Sequence, residues 1–115
     1  MATFTRVVLS GAADGKAVKV AATATAGTTI HTAHATAIDE VWLWAYNSHT
    51  ANVVLTIEFG GADAPDNNIV VTVPFKSGLV AVVPGLVLTN SLTVKAFAGT
   101  TNVVTLSGYI NRIVN

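Results

Sequence analysis

Residues 39–47 read DEVWLWAYN and residues 52–59 read NVVLTIEF. In both stretches apolar side chains recur at every second position, which is the period of a β-strand and not of a helix. The first stretch predicts a long strand, Asp39–Asn47. The second predicts a strand, Asn52–Phe59, with one apolar face made of Val53, Leu55, Ile57 and Phe59.

The same β character extends over the rest of the chain. Val and Thr are abundant, and Gly, Asn, Asp and Pro interrupt the apolar runs at short intervals. Six further strands are predicted at Phe4–Ser10, Lys16–Ala22, Asn68–Val73, Gly78–Val83, Ser91–Ala98 and Asn102–Ile113, and a possible ninth at Thr28–Thr32.

Turn signals separate these strands. Ala12–Gly15 predicts a hairpin turn through Asp-Gly, and Pro84-Gly85 is expected to end the strand before it. Gly60–Asn67 is expected to be a loop with a turn at Pro65-Asp66. Short strands at such regular spacing predict an all-β, antiparallel sandwich or barrel. Its 115 residues are enough for one domain, 1–115.

The charge content is unusually low. Six basic and six acidic residues give a net charge of +0, and only 10% of the chain is charged although 51% is hydrophobic. This balance argues against a nucleic-acid or membrane-surface partner. A monomer of this mass should expose roughly 5,900 Å², or about one charged side chain per 500 Å². A surface so poor in charge predicts an assembly, because a nearly neutral monomer tends to associate.

The aromatic row of the first stretch is the most specific feature. Alternation places Trp42, Trp44 and Tyr46 on one face of the strand. Three interpretations remain open for this face: core filling, a subunit interface, or a platform on which sugars stack. Several strands, including 41–46 and 79–83, are apolar on both faces, so their outer faces need another cover.

The segment 21–37 differs from the rest because it consists mainly of Ala and Thr, with no charged or aromatic side chain. It could be an extended arm on a neighbouring subunit, or a long surface loop with one short strand. Small side chains would let its backbone lie close to a partner. The candidate contact residues in it are Ile30, His31, Ala33 and Ala35.

Signals for catalysis or metal binding are weak. On a strand, His31 and His34 point to opposite faces and cannot share a metal ion. Asp63 and Asp66 lie where turn-capping Asp is common. The chain has no Cys, no Gly-rich phosphate loop and no Ser in a nucleophile elbow. We therefore expect a protein that is not an enzyme and that uses no metal or other cofactor.

Several phrases between Glu40 and Ile113 resemble a family of small all-β proteins that decorate or cement the capsids of tailed bacteriophages. They cover about two-thirds of the chain. They are Val41–Asn47, Leu55–Gly61 followed by Ala64–Asp66, Gly78-Leu79 leading to Val83–Gly85, and Ala96–Ala98 leading to Gly108–Ile113.

This resemblance implies a jelly-roll-like sandwich, homotrimers on the capsid lattice and no catalysis. The expected partners are the major capsid protein and further copies of the chain, with no nucleic acid or membrane. The expected location is the outer capsid surface of the virion, after synthesis in the host bacterial cytoplasm. The alternative is a carbohydrate-binding or receptor-binding head or tail fibre module that uses Trp42, Trp44 and Tyr46.

Overall fold

The computed structural model describes residues 2–114, and within them it contains β-strands and no helix. In this part of the chain, nine strands form two antiparallel sheets. The strands are β1 (Thr3–Val8), β2 (Val18–Lys19), β3 (Thr28–Thr32), β4 (Ile38–Asn47), β5 (Val53–Phe59), β6 (Asn68–Val73), β7 (Val80–Leu88), β8 (Thr93–Ala98) and β9 (Val104–Val114).

The pairing is nested. One sheet has the order β1-β9-β4-β7, with β2 also on β9, and the other has the order β3-β8-β5-β6. Thus β5 pairs with β6, β4 with β7, β3 with β8 and β1 with β9. A long hairpin folded over on itself into two facing sheets is a jelly roll. The predicted all-β antiparallel sandwich is confirmed, and so is the ninth strand at Thr28–Thr32.

The core lies between the two sheets, and β4 and β9 run through the middle of one of them. The inward side chains of β4 alternate strictly with the outward ones, and Val41, Leu43 and Ala45 are fully buried. Leu55 and Ile57 of β5 meet them from the facing sheet and are equally buried. The two quoted stretches therefore form central strands of the two sheets. The total accessible surface is 5986 Å².

The prediction that Ala12–Gly15 closes a hairpin is wrong, although a turn is present there. Asp14 and Gly15 do adopt positive φ, as a turn requires. However, β1 and β2 do not pair with each other: both lie along the same side of β9. The predicted strand Lys16–Ala22 shrinks to two residues because the chain leaves the sheet after β1. Gly11 N donates to Ile30 O at 2.9 Å, which connects this excursion to the facing sheet.

The predicted strand end at Pro84-Gly85 is also wrong, because β7 continues through both residues to Leu88. Two features make this possible. β7 is an edge strand, so the missing N–H of Pro84 breaks no second ladder. The register with β4 shifts twice, between Val41 and Trp42 and again between Leu43 and Trp44, as in a β-bulge.

Candidate functional site

The aromatic row lies on the outer face of the five-stranded sheet. Trp42, Trp44 and Tyr46 point away from the core and are partly exposed, whereas their neighbours Val41, Leu43 and Ala45 are buried. The alternation in the sequence thus placed the three aromatic rings on one face correctly. The core interpretation of this row is wrong, and the interface and the sugar-stacking interpretations remain.

A fourth aromatic side chain completes the cluster. Tyr109 of β9 is the direct cross-strand partner of Trp42. The ring centroids of Trp42, Trp44 and Tyr109 form a nearly equilateral triangle with sides of 6.3, 6.3 and 5.9 Å, and their planes differ by 17–33°. We call these three rings the aromatic platform. Sequence reasoning missed Tyr109 because its register against β4 depends on a pairing between residues 67 positions apart.

Two glycines shape the sheet around the platform. A Cβ atom on Gly85 would lie 2.7 Å from Cζ2 of Trp42, so the indole ring lies directly over this residue. A Cβ atom on Gly108 would lie 1.9 Å from the backbone O of Trp42, so β9 approaches β4 closely at this point. The Trp42 ring therefore rests on the sheet where Gly85 has no side chain, whereas Gly108, paired with the buried Leu43, belongs to the opposite face.

A row of polar side chains borders the platform. Glu40, Asn111 and Arg6 lie side by side on β4, β9 and β1. Oε1 of Glu40 accepts hydrogen bonds from the Trp42 indole N–H at 2.7 Å and from Asn111 Nδ2 at 3.1 Å. These two hydrogen bonds lower the pKa of Glu40 below its usual value, and the bond from Trp42 contributes more than the bond from Asn111. We call these three residues the polar row.

Arg6 joins the polar row to the platform. Its Nε donates to Asn111 Oδ1 at 3.5 Å, and its guanidinium carbon lies 4.7 Å from the centroid of the Tyr109 ring. This is the geometry of a cation–π contact. The Arg6 guanidinium therefore lies over one face of the Tyr109 ring.

His31 has a different environment from the one expected of an interface residue. It is fully buried, and its Nε2 lies 2.8 Å from Oδ2 of Asp39. Asp39 is fully buried too. Its carboxylate accepts hydrogen bonds from Nε and Nη2 of Arg112, at 2.7 and 3.0 Å, and from the backbone N–H of His34, at 3.1 Å. The prediction that His31 contacts a partner is therefore wrong. The residue forms a polar network inside the sandwich.

This network contains Ser10, His31 and Asp39 but lacks the geometry of an acyl-transfer triad. In a triad, the His nitrogen facing the Ser accepts the hydroxyl proton. Here Nδ1 of His31 already accepts the backbone N–H of Ser10 at 3.0 Å, and the Ser10 hydroxyl oxygen accepts the backbone N–H of Thr32 at 2.7 Å. The three side chains join β3 to the chain after β1, which is a structural task.

The segment 21–37 is integrated into the sandwich. Ile30 is fully buried and Ala33 is 4% exposed, so the prediction that they contact a partner is wrong for these two residues. They are buried because their side chains pack into the core, at the edge strand β3 and directly after it. Ala35 is exposed, in the connection between β3 and β4.

A second feature lies on the facing sheet. Glu58 is 2% exposed, and its carboxylate accepts hydrogen bonds from the Thr25 hydroxyl and, at 2.7 Å, from Gly27 N. It borders a cleft of about 100 Å³ with Lys95, Thr93, Ala26, Gly61 and Ala62. Since the carboxylate is already bonded to the chain that covers it, its role is to attach residues 25–27 to β5.

Within residues 2–114, no three His, Asp or Glu side chains come together in a way that could hold a metal ion. The same residues contain no helix with the length and apolarity to cross a membrane. Comparison with protein families, curated proteins and solved structures found no match for this chain.

Proposed function

We propose that this chain is a structural protein of a bacteriophage virion, a decoration protein that binds the outside of the head. In this role it bridges neighbouring capsid subunits and covers apolar surface at their boundaries, and it carries out no chemical reaction. It assembles with copies of itself, as a trimer in the family that the sequence resembles.

The observation that carries this proposal is the composition of the surface. Among residues 2–114, eleven large hydrophobic side chains are exposed, and their exposed fractions range from 39% for Ile38 to 73% for Phe4. The chain has only twelve charged side chains, and Asp39 and Glu58 are buried. The exposed large apolar side chains therefore outnumber the exposed charged ones, as expected of a subunit that works in an assembly.

Three of the phrases that resemble the decoration family lie on central strands of the sandwich. Val41–Asn47 lies in β4, Leu55–Phe59 in β5 and Gly108–Ile113 in β9. β4 and β9 are the two inner strands of their sheet, and β5 is an inner strand of the other. Further phrases lie in loops, such as Ala64–Asp66 and Gly78-Leu79, or on the edge strand β7, so the resemblance combines central strands with turns.

One end of the sandwich is the favoured attachment surface. Phe4, Ile38, Leu92 and Val114 are exposed there, and we call them the apolar end. Phe4 and Ile38 flank the same residue of β9, Ile113. The loop carrying Leu92 joins the loop before β4 through a bond from Ala33 N to Leu92 O of 2.8 Å. The exposed Ala35 belongs to this end as well.

The experiment is co-sedimentation of the purified chain with phage heads that lack it. We expect binding to persist at 1 M NaCl, because apolar contacts do not weaken as the Debye length falls from about 10 Å at 0.1 M to about 3 Å. Ile38→Asp should abolish binding, whereas Val70→Asp, on the outer face of the other sheet, should bind like the wild type. Loss of the wild type at 1 M NaCl, or full binding by Ile38→Asp, would contradict the proposal.

A further inference from the structure

We propose that the aromatic platform and the polar row together form a binding site for a neutral saccharide. The ligand would place the C–H face of one pyranose ring on Trp42 and Trp44 and direct its hydroxyl groups toward Glu40 and Arg6. This function goes beyond attachment to a capsid, which we assign to the apolar end; the two surfaces adjoin, because Phe4 and Ile38 precede Arg6 and Glu40 by two residues on the same face of the sheet.

The first argument is the arrangement of the rings. Three rings piled face to face would give one centroid distance about twice the other two, but the three distances here are nearly equal. The rings therefore do not form a single pile, and all three side chains are partly exposed. Trp42 lies over Gly85, so its ring follows the surface of the sheet. Partly exposed aromatic rings grouped in this way offer apolar surface to the C–H face of a sugar.

The second argument is the unused hydrogen-bonding capacity beside the rings. Both protein bonds of Glu40 go to Oε1, and within residues 2–114 its Oε2 has no hydrogen-bond partner. Arg6 uses Nε on Asn111 and leaves its Nη donors without a partner in the same part of the chain. An acceptor and a donor thus lie next to the apolar surface, and neighbouring hydroxyl groups of one sugar can use both.

The third argument separates a sugar from a second copy of the chain. Charged residues are depleted at the centre of protein interfaces, because burying a charge without a full set of partners is costly. A second copy seated on the platform would bury Glu40 and Arg6 in this way. A saccharide instead supplies hydroxyl groups to both. The two opposite charges of the site cancel, so a neutral sugar is favoured over an acidic one.

The test is a titration of the isolated protein with cellohexaose, maltohexaose, mannohexaose and chitohexaose, with oligogalacturonate as the acidic comparison. Tryptophan fluorescence and ligand-detected NMR would follow binding. We expect at least one neutral oligosaccharide to bind saturably and oligogalacturonate to bind more weakly. No saturable binding by any neutral member, or preferential binding of oligogalacturonate, would overturn the proposal.

Variants locate the site. Trp44→Ala should weaken binding at least about tenfold, because a stacking ring is lost from a face that contributes nothing to the core. Glu40→Gln keeps the shape of the side chain and should weaken binding severalfold. Phe75→Ala removes an exposed aromatic ring elsewhere and should bind like the wild type. Unchanged binding by both Trp44→Ala and Glu40→Gln would reject the site, as would a platform variant that changes only the oligomeric state.

Discussion

At the scale of single residues, Asp39 is the carboxylate on which the interior polar network depends. Burial alone would raise its pKa, but hydrogen bonds from Arg112, His31 and the His34 backbone outweigh burial and lower the pKa from 3.8 to about 2. A lowered folded-state pKa stabilises the protein at every pH above the unfolded value. The network thus stabilises the fold fully at neutral pH.

We therefore expect the free energy of unfolding to lose about 2 kcal/mol through Asp39 as the pH falls from about 4 to 2. Asp39→Asn should lose roughly 2–3 kcal/mol at pH 7, since the partly buried guanidinium of Arg112 would lose its charged partner. It should also lack this part of the acid dependence. Urea unfolding at several pH values measures both effects. Asp66→Asn, in an exposed loop, is the control, and equal stability of the two variants would contradict the account.

Gly108 gives a second test at this scale. Because a Cβ atom there would lie 1.9 Å from the Trp42 backbone O, Gly108→Ala must push β9 away from β4. We expect a loss of at least about 2 kcal/mol, a typical cost of overpacking. Gly99→Ala is a matched control, since its nearest atom would be Val54 O at 3.9 Å. Thermal unfolding compares the two, and similar melting temperatures would show that the strands can separate at little cost.

At the scale of elements, strand positions could be predicted from alternation and strand pairing could not. β4, β5 and β6 lie within one residue of their predicted bounds, because β4 and β5 show alternation and β6 is a run rich in β-branched residues that ends before Pro74. The failures at Ala12–Gly15 and Pro84-Gly85 have a shared cause. Turn residues have the same local signature in a hairpin, an excursion or an edge bulge, and only the partner strand distinguishes these cases.

For the candidate site too, features within one strand could be predicted and features that depend on strand pairing could not. The outward aromatic row was predicted because it lies within one strand. Tyr109, Arg6 and Asn111 were not connected to it, because they come from β9 and β1, far away in the sequence. His31 was misplaced for a related reason. Its partners Asp39 and Arg112 stand on other strands, and the sequence around His31 contains no sign of either.

The segment 21–37 yields a prediction that separates folding from attachment. Ala33→Asp would place a carboxylate among core residues without a partner, at a cost of several kcal/mol, so this variant should fail to fold. Ala35→Asp lies in an exposed connection, should change stability by no more than about 0.5 kcal/mol, and should bind heads poorly. Circular dichroism and co-sedimentation check the pair. A folded Ala33→Asp variant would show that this connection is looser than the structure indicates.

At the scale of the whole molecule, the exposed apolar side chains predict self-association. Light scattering at micromolar concentration should give a multiple of 11.8 kDa, with a trimer expected from the family resemblance. A single monomer mass would contradict this prediction. A chelator should change neither the melting temperature nor the mass, and a drop of several degrees in EDTA would instead reveal a metal ion that stabilises the fold.

The nested pairing also sets an order of events during folding. β5 and β6 meet after closure of one short loop, 60–67, whereas β1 and β9 join residues as far apart as Thr3 and Val114. The entropy lost on closing a loop grows with its length, and non-local β topologies fold slowly for this reason. Pulse-labelled hydrogen exchange should therefore find the amides of β5 protected before those of β1. Since β1 carries Arg6, a chain in which β1 has not yet docked would hold a saccharide through β4 alone and would bind it more weakly.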